Sequence, residues 1–491
     1  MKLFAMGDSV TQGFVSGFAA RTDLSYPTLV AGVMAPDHEF RYPTWEKGGL
    51  PVNMERIMRR LAKRFGPNVN AFEWPLALRE INAVMDESED FYERGKGAQP
   101  YGKGAEFFHN AAFQGADVAD SWLVTPKVCK KEISDADEGE AGWRRDLPFS
   151  GPSAAFHRTA LTVLNPSHAP KYDDFSQIRW LAEHAAGEGV ENLILWLGAN
   201  NALGTVVSLR IRQTPGNPTD PPHEMPHTTR AEKGWNLWHP RDFEAEYREL
   251  LEKVDAAMSR NTHDDWSTFV GTVPLITIAP LAKGVGPTTR IKRDGATSVY
   301  YKYYTYFPFE EDDVRGEGVA YLTLQDALHI DDAIRAYNAA IKKLVAEMNA
   351  KVSEREGASV ERYHVVDTCE ALRRLAFKRN AGDVEYDFPA HFDFVYPKVD
   401  TKYYHADTRG RLRQGGLFGL DGVHPSAIGQ GLIAHEFLKV MKKAGKVPED
   451  ADLNWPEIFA GDELYSDPIP TMHELYDKDW IAKHLIERFT R

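Results

Sequence analysis

Four short apolar runs constrain this chain more than any other feature. Residues 2–6, 191–198, 268–274 and 363–367 are each too short for a core helix and finish at turn-forming residues. Around them, over residues 26–34, 175–186, 242–258 and 330–348, apolar positions recur at three and four, the period of a helix with one buried face. Buried strands alternating with such helices pack as a parallel sheet covered on both sides. The expected fold class is therefore α/β.

The 491 residues leave room for two or three domains, but one core with long insertions uses the same length. The segments that break the alternation favour insertions into a single domain spanning residues 1–446. Residues 36–104 hold two helical patterns, 52–65 and 75–94. Residues 202–241 are rich in Pro, His and Thr and read as a long loop, and residues 283–323 carry the aromatic run 300–307. Residues 447–491 form a C-terminal extension. A net charge of −14 without a long basic run argues against a nucleic-acid partner. Cys129 and Cys369 lack metal-site spacing and are too few for a disulfide framework; whether they pair is open. The N-terminus has too short an apolar run for a signal peptide, and no stretch reaches the ~20 apolar residues of a membrane span. A cytoplasmic protein is expected, or a secreted one if a leader precedes this sequence.

Several common catalytic signatures are missing: G-x-S-x-G, H-E-x-x-H, the Walker A loop and G-x-G-x-x-G after a strand. What stands directly after the first strand is Gly7-Asp8-Ser9-Val10-Thr11-Gln12-Gly13. A serine in the turn at a strand's carboxyl end faces the crevice where open α/β sheets bind ligands. The competing reading makes Ser9 a helix N-cap. A serine hydroxyl needs a base to take its proton, and that base needs a carboxylate to orient it. Near the other end, Asp421-Gly422-Val423-His424-Pro425 supplies such a pair, with Pro425 expected at the first position of a final helix, residues 425–443. The pair also reads as an ordinary surface loop. Asp326 and His329 have the same spacing but lead into a helix without a following proline, and His435-Glu436 reads as surface polarity.

With the G-D-S and D-x-x-H-P blocks in place, the chain resembles the SGNH/GDSL serine hydrolases. Two intermediate blocks of that family have counterparts: Asn110 followed by Gly115, and Gly198-Ala199-Asn200-Asn201 at the end of an apolar strand. Asn201 stands where the family usually has Asp. Asn110 also lies farther from Ser9 than in similar small esterases, which the insertion at residues 36–104 accounts for. The resemblance implies a three-layer α/β/α flavodoxin-like core with Ser9, Asp421 and His424 as catalytic residues. It also implies an oxyanion hole made by the Ser9 and Gly115 amides and the Asn200 side chain. No cofactor or metal is expected.

The implied function is hydrolysis of carboxylic esters, of esterase or lipase type, through an acyl-enzyme on Ser9. Carbohydrate O-acetyl esterase or acyltransferase chemistry would use the same residues, and a non-catalytic binding module is a third class. The expected partner is a small-molecule ester, a lipid or an acylated sugar. Two features bear on this choice. Residues 52–65 place Met54, Ile57, Met58, Leu61 and Phe65 on one face of a basic helix, a pattern that suits packing, a lid or an anionic membrane surface. The aromatic run 300–307 suits a strand or hairpin, sugar stacking or an acyl pocket.

Overall fold

The computed structural model describes residues 1–70, 72–102, 105–137, 154–293, 295–316, 318–357, 360–477 and 483. The chain folds as a mixed α/β protein around a four-stranded parallel sheet. Its strands β1 (Phe4–Gly7), β2 (Asn192–Trp196), β3 (Ser267–Gly271) and β4 (Tyr363–Val366) lie side by side in chain order. On the outer edge of β1, the Ala5 amide donates to the His109 carbonyl and the Ala111 amide to the Ala5 carbonyl, both at 2.9 Å. This bridge, at Asn110, adds a fifth position, so the spatial order by chain position is 2-1-3-4-5. The order reverses between β1 and β2, and such a switch point opens a crevice at the strands' carboxyl ends.

Alternate side chains of the strands feed two separate cores, one on each face of the sheet. Phe4, Met6, Leu193, Leu195 and Val270 point into one, with helices α2 (Gln177–Ala186), α3 (Pro240–Met258) and α4 (Leu324–Glu356). Leu3, Ala5, Ile194, Trp196, Phe269 and Val366 point into the other, with α1 (Tyr26–Met34) and α5 (Ala427–Lys443). Leu193, Ile194 and Leu195 are wholly buried, so truncating any of them to alanine costs about 2–5 kcal/mol.

Several expectations need correction. The long loop proposed for residues 202–241 contains helices Asn200–Ser208 and His227–Lys233. The first carries its own apolar stripe of buried Ala202 and Val206, which the surrounding Pro-rich sequence obscured. Pro425 does not open α5; Ser426 is its N-cap, accepting from the Gly429 amide, and Pro425 stays outside the helix. α4 begins earlier than residue 330 because Thr323 and Asp326 form a reciprocal capping box. That box occupies Asp326, and His329 is exposed beside Gln213. The stretch that follows residue 446 packs on the core. Leu453, Trp455, Ile458 and Phe459 pack into the α1/α5 core, and Asp462 accepts from the Ile428 amide at 2.9 Å. Glu436 is partly buried and accepts from the Tyr386 hydroxyl at 2.7 Å.

The helix Met54–Phe65 packs on the domain: Ile57 and Leu61 are buried, and Met54 and Met58 lie against Tyr404, Leu464 and Met472. Its cations Arg56, Arg59, Arg60 and Arg64 are ion-paired to Glu87, Asp467 and Glu80. The aromatic run falls in a β-hairpin, Ala282–Arg293 against Ala296–Tyr306, with Tyr300 and Tyr304 completely buried, so neither ring is open to a sugar or an acyl chain. Cys129 and Cys369 are both free thiols. Among the described residues no helix is long and apolar enough to cross a membrane.

Candidate active site at the sheet's switch point

β1 ends at Gly7, and the chain turns at once into a single helical turn, Ser9–Gln12. Gly7 is required there because a Cβ would lie 2.1 Å from Thr11 Oγ1. The N-cap of the turn is Asp8 rather than Ser9: Asp8 Oδ1 accepts from the Val10 amide at 3.0 Å. The Ser9 side chain is thereby spared the capping role, and its Oγ lies 2.9 Å from His424 Nε2. Gln177 grips the end of β1 from α2, accepting from the Gly7 amide at 3.2 Å and donating to the Gly7 carbonyl at 2.9 Å.

His424 Nδ1 lies 2.6 Å from Asp421 Oδ2, which completes a Ser9–His424–Asp421 chain. Asp421 is buried, and its oxygens also accept from the amides of Gly17 (2.6 Å), Val423 (2.8 Å) and His424 (3.0 Å). Burial works against its charge, but the neighbouring imidazole and these amides outweigh it and hold its pKa below the usual carboxylate value. For His424, burial disfavours the imidazolium, yet Asp421, by charge and hydrogen bond, and then Asp8 raise its pKa above the ordinary imidazole value.

Two further loops complete the cavity beside Ser9. Asn200 starts the helix after β2, and its Nδ2 donates to the Ala116 carbonyl at 2.9 Å and to Asp8 Oδ2 at 3.4 Å. Gly115 adopts φ +79°, a left-handed conformation that suits glycine and turns the loop toward the same cavity. Gln12 Oε1 accepts from the Gln114 amide at 2.7 Å, tying this loop to the serine turn. Asn110 supports it from behind, donating to the Thr11 carbonyl at 2.8 Å and accepting from the Ala112 amide at 3.1 Å. The departure at Asn201 also has a role: its Oδ1 accepts from the Val118 amide at 3.2 Å, and its Nδ2 lies 3.4 Å from Glu246 Oε1. An aspartate there would set two carboxylates against each other.

Sequence reasoning missed the groups that brace this arrangement. Asp8 lies between Asn200 and His424, and burial pushes its pKa up to about 6. Ser16 Oγ accepts from the Leu420 amide at 2.8 Å and donates to Glu55 at 2.7 Å, while Gly17 donates to Asp421. A residue of the 36–104 insertion thus holds the histidine loop. Only the nearness of Asp8 to Ser9 was visible in the sequence; Ser16, Gly17 and Glu55 carry no local signal.

Ser9, Gly115, Asn200 and His424 line a small cavity of about 60 Å³, together with Leu203 and Val207. Gln114, Gly115, Asn200, Leu203 and Val207 also line a neighbouring cavity of about 670 Å³. The five residues brought together are therefore those singled out from the sequence: Ser9, Gly115, Asn200, Asp421 and His424. No family model, curated protein or solved structure matches the chain.

Proposed function

We propose that this protein is a serine hydrolase of SGNH type that cleaves carboxylic esters with a short acyl group. The observation that carries the proposal is the Ser9–His424–Asp421 chain of 2.9 and 2.6 Å contacts at the sheet's switch point, with Asn200 and Gly115 facing the same cavity. The three-layer sheet order 2-1-3-4-5 supports a flavodoxin-like core beneath it. His424 Nε2 takes the Ser9 proton as Oγ bonds to the ester carbonyl carbon. Collapse of the tetrahedral intermediate breaks the ester C–O bond, and His424 returns the proton to the departing alcohol. Water then repeats the sequence on the acyl-serine and releases the acid. The Ser9 and Gly115 amides and Asn200 Nδ2 stabilise the negative oxygen. The narrow cavity at Ser9 favours acyl groups of a few carbons over long chains.

The test is labelling with a fluorophosphonate, followed by peptide mass spectrometry and a nitrophenyl ester series of increasing chain length. An adduct on Ser9 with fastest turnover of the acetate and propionate supports the proposal. An unlabelled Ser9 together with negligible turnover throughout overturns it.

Two further outcomes are expected. Asn200→Ala removes one oxyanion donor and should lower kcat by about 10²–10³-fold with little change in KM. Steady-state kinetics on 4-nitrophenyl acetate measures this. The second concerns pH. His424 must be neutral to accept the Ser9 proton, and its pKa is raised, so the acid limb of kcat/KM should fall above the ordinary imidazole value. Asp8→Asn retains a capping side chain but removes one of the charges that raise it. The limb should move to lower pH, and a limb that stays put would show that Asp8 does not act on His424.

A further inference from the structure

We propose that the cleft of about 410 Å³ between the strand pair 14–20 and the helix Met54–Phe65 binds a soluble, multiply charged phosphate compound, an oligophosphate in class. The cleft shares no lining residue with the two cavities beside Ser9, so the site is independent of the ester chemistry proposed above. Its volume falls within the roughly 300–1,000 Å³ usual for small-molecule sites.

The charge of the lining points to an anion. Arg21, Lys47, Arg56, Arg59, Arg60 and Lys63 line the cleft against two carboxylates, Glu55 and Glu463, in a chain whose net charge is −14. Burial pushes the Glu55 pKa up to about 7, so that carboxylate is partly protonated near neutral pH. The arginines have ion-pair partners: Arg21 with Asp23, Arg56 and Arg60 with Glu87, and Arg59 with Asp467. Those carboxylates stand outside the lining, and Glu463 is shared, 3.3 Å from Arg21 and 3.8 Å from Arg59. Arg59 Nε is buried and has no hydrogen-bond partner among the described residues. Lys47 and Lys63 are exposed, and among the described residues neither has a carboxylate within ion-pair distance.

The arrangement of these cations suits a linear ligand. Arg56, Arg59, Arg60 and Lys63 recur at three and four along the helix and form a row about 10 Å long at ~1.5 Å rise per residue. Such a row matches several charges in line rather than a single ion. Guanidinium donors fit phosphate oxygens, and the two lysines add mobile point charges. The walls are tied together without a ligand. Asn53 Nδ2 donates to the Gly48 carbonyl at 2.7 Å, its Oδ1 accepts from the Arg56 amide at 2.9 Å, and Glu55 accepts from Ser16 Oγ at 2.7 Å. A frame fixed in this way lowers the ordering cost of binding. Ile57 and Leu61, on the apolar side of the helix, are buried, so the helix has no face left to insert into a bilayer, which favours a free ligand over a lipid headgroup.

The experiment is calorimetry on the full chain with inorganic triphosphate at low salt. The wild type should bind it with one-to-one stoichiometry, and the affinity should fall as salt is added. K47Q/K63Q should weaken binding by about tenfold or more, and K47R/K63R should retain it. Because neither lysine is ion-paired, both variants should melt at the wild-type temperature, so that lost binding is not a result of unfolding. No binding of triphosphate to the wild type, or binding unchanged in K47Q/K63Q, overturns the proposal. Citrate bound as tightly as triphosphate overturns the phosphate class. Co-sedimentation with vesicles containing phosphatidylinositol bisphosphate, without binding of free triphosphate, overturns the soluble ligand in favour of a membrane. None of these readouts uses turnover, so the hydrolase reading stands or falls separately, on the Ser9 adduct.

Discussion

Asp421→Asn is expected to lower kcat on 4-nitrophenyl acetate by about 10⁴-fold, the scale seen when a triad carboxylate becomes an amide in serine proteases. The geometry explains why the loss should be so large. Oδ2 of Asp421 accepts from His424 Nδ1 and the Gly17 amide, and Oδ1 accepts from the Val423 and His424 amides. Whichever way an asparagine turns, its NH2 group faces two donors. If it faces Nδ1, that nitrogen must give up its proton and become an acceptor. The proton then sits on Nε2, where it blocks uptake from Ser9. If it faces the other pair, two backbone amides lose their acceptor, at roughly 1–3 kcal/mol for each buried group left unmade. Kinetics and thermal melting on the purified variant distinguish the two. A loss of activity below tenfold would mean that Asp421 does not set the histidine's tautomer.

Arg379→Met should destabilise the fold by about 3–5 kcal/mol, since it leaves a buried carboxylate without its cation. Arg379 and Asp331 are each wholly buried and lie 3.1 Å apart. Thr277 donates to Asp331 at 2.5 Å and Tyr300 at 2.8 Å, and Arg379 also bonds Thr277, the Val299 carbonyl and the Tyr304 hydroxyl. Its guanidinium lies 4.1 Å from the centre of the Tyr300 ring. The network fastens the long hairpin to α4. Urea denaturation measures the loss, and adding Asp331→Asn to Arg379→Met should recover part of it, because the stranded charge is gone. A single variant as stable as the wild type would show that Asp331 finds another partner or takes up a proton.

What could be read from the sequence was whatever a local pattern encodes. Leu193-Ile194-Leu195 announces a strand buried on both faces, because no neighbour interrupts its apolar run. The serine, asparagine and histidine blocks stand out because each pairs a reactive side chain with a turn. What remained hidden depends on partners far along the chain. The helix Asn200–Ser208 is set by packing that its Pro-rich surroundings mask, and Pro425 lost its expected place to the better hydrogen bond of Ser426. Asp8 takes the capping role first offered to Ser9, and only coordinates reveal that this exchange frees the hydroxyl. Tyr300 and Tyr304 carried an aromatic signal whose target, Arg379, no spacing rule connects to them.

The contact between Ser9 and His424 joins residues 415 positions apart in sequence. During synthesis, β1 gains its neighbour as soon as Trp196 has emerged, but the base is still to be made. At ~5–20 residues per second, translating from Trp196 to His424 takes roughly 10–50 s. Throughout that interval the growing chain carries a serine turn without the histidine that contacts it. The Ser426 cap that opens α5 follows the histidine loop directly, so the contact between Ser9 and His424 forms only once these two distant segments have folded together.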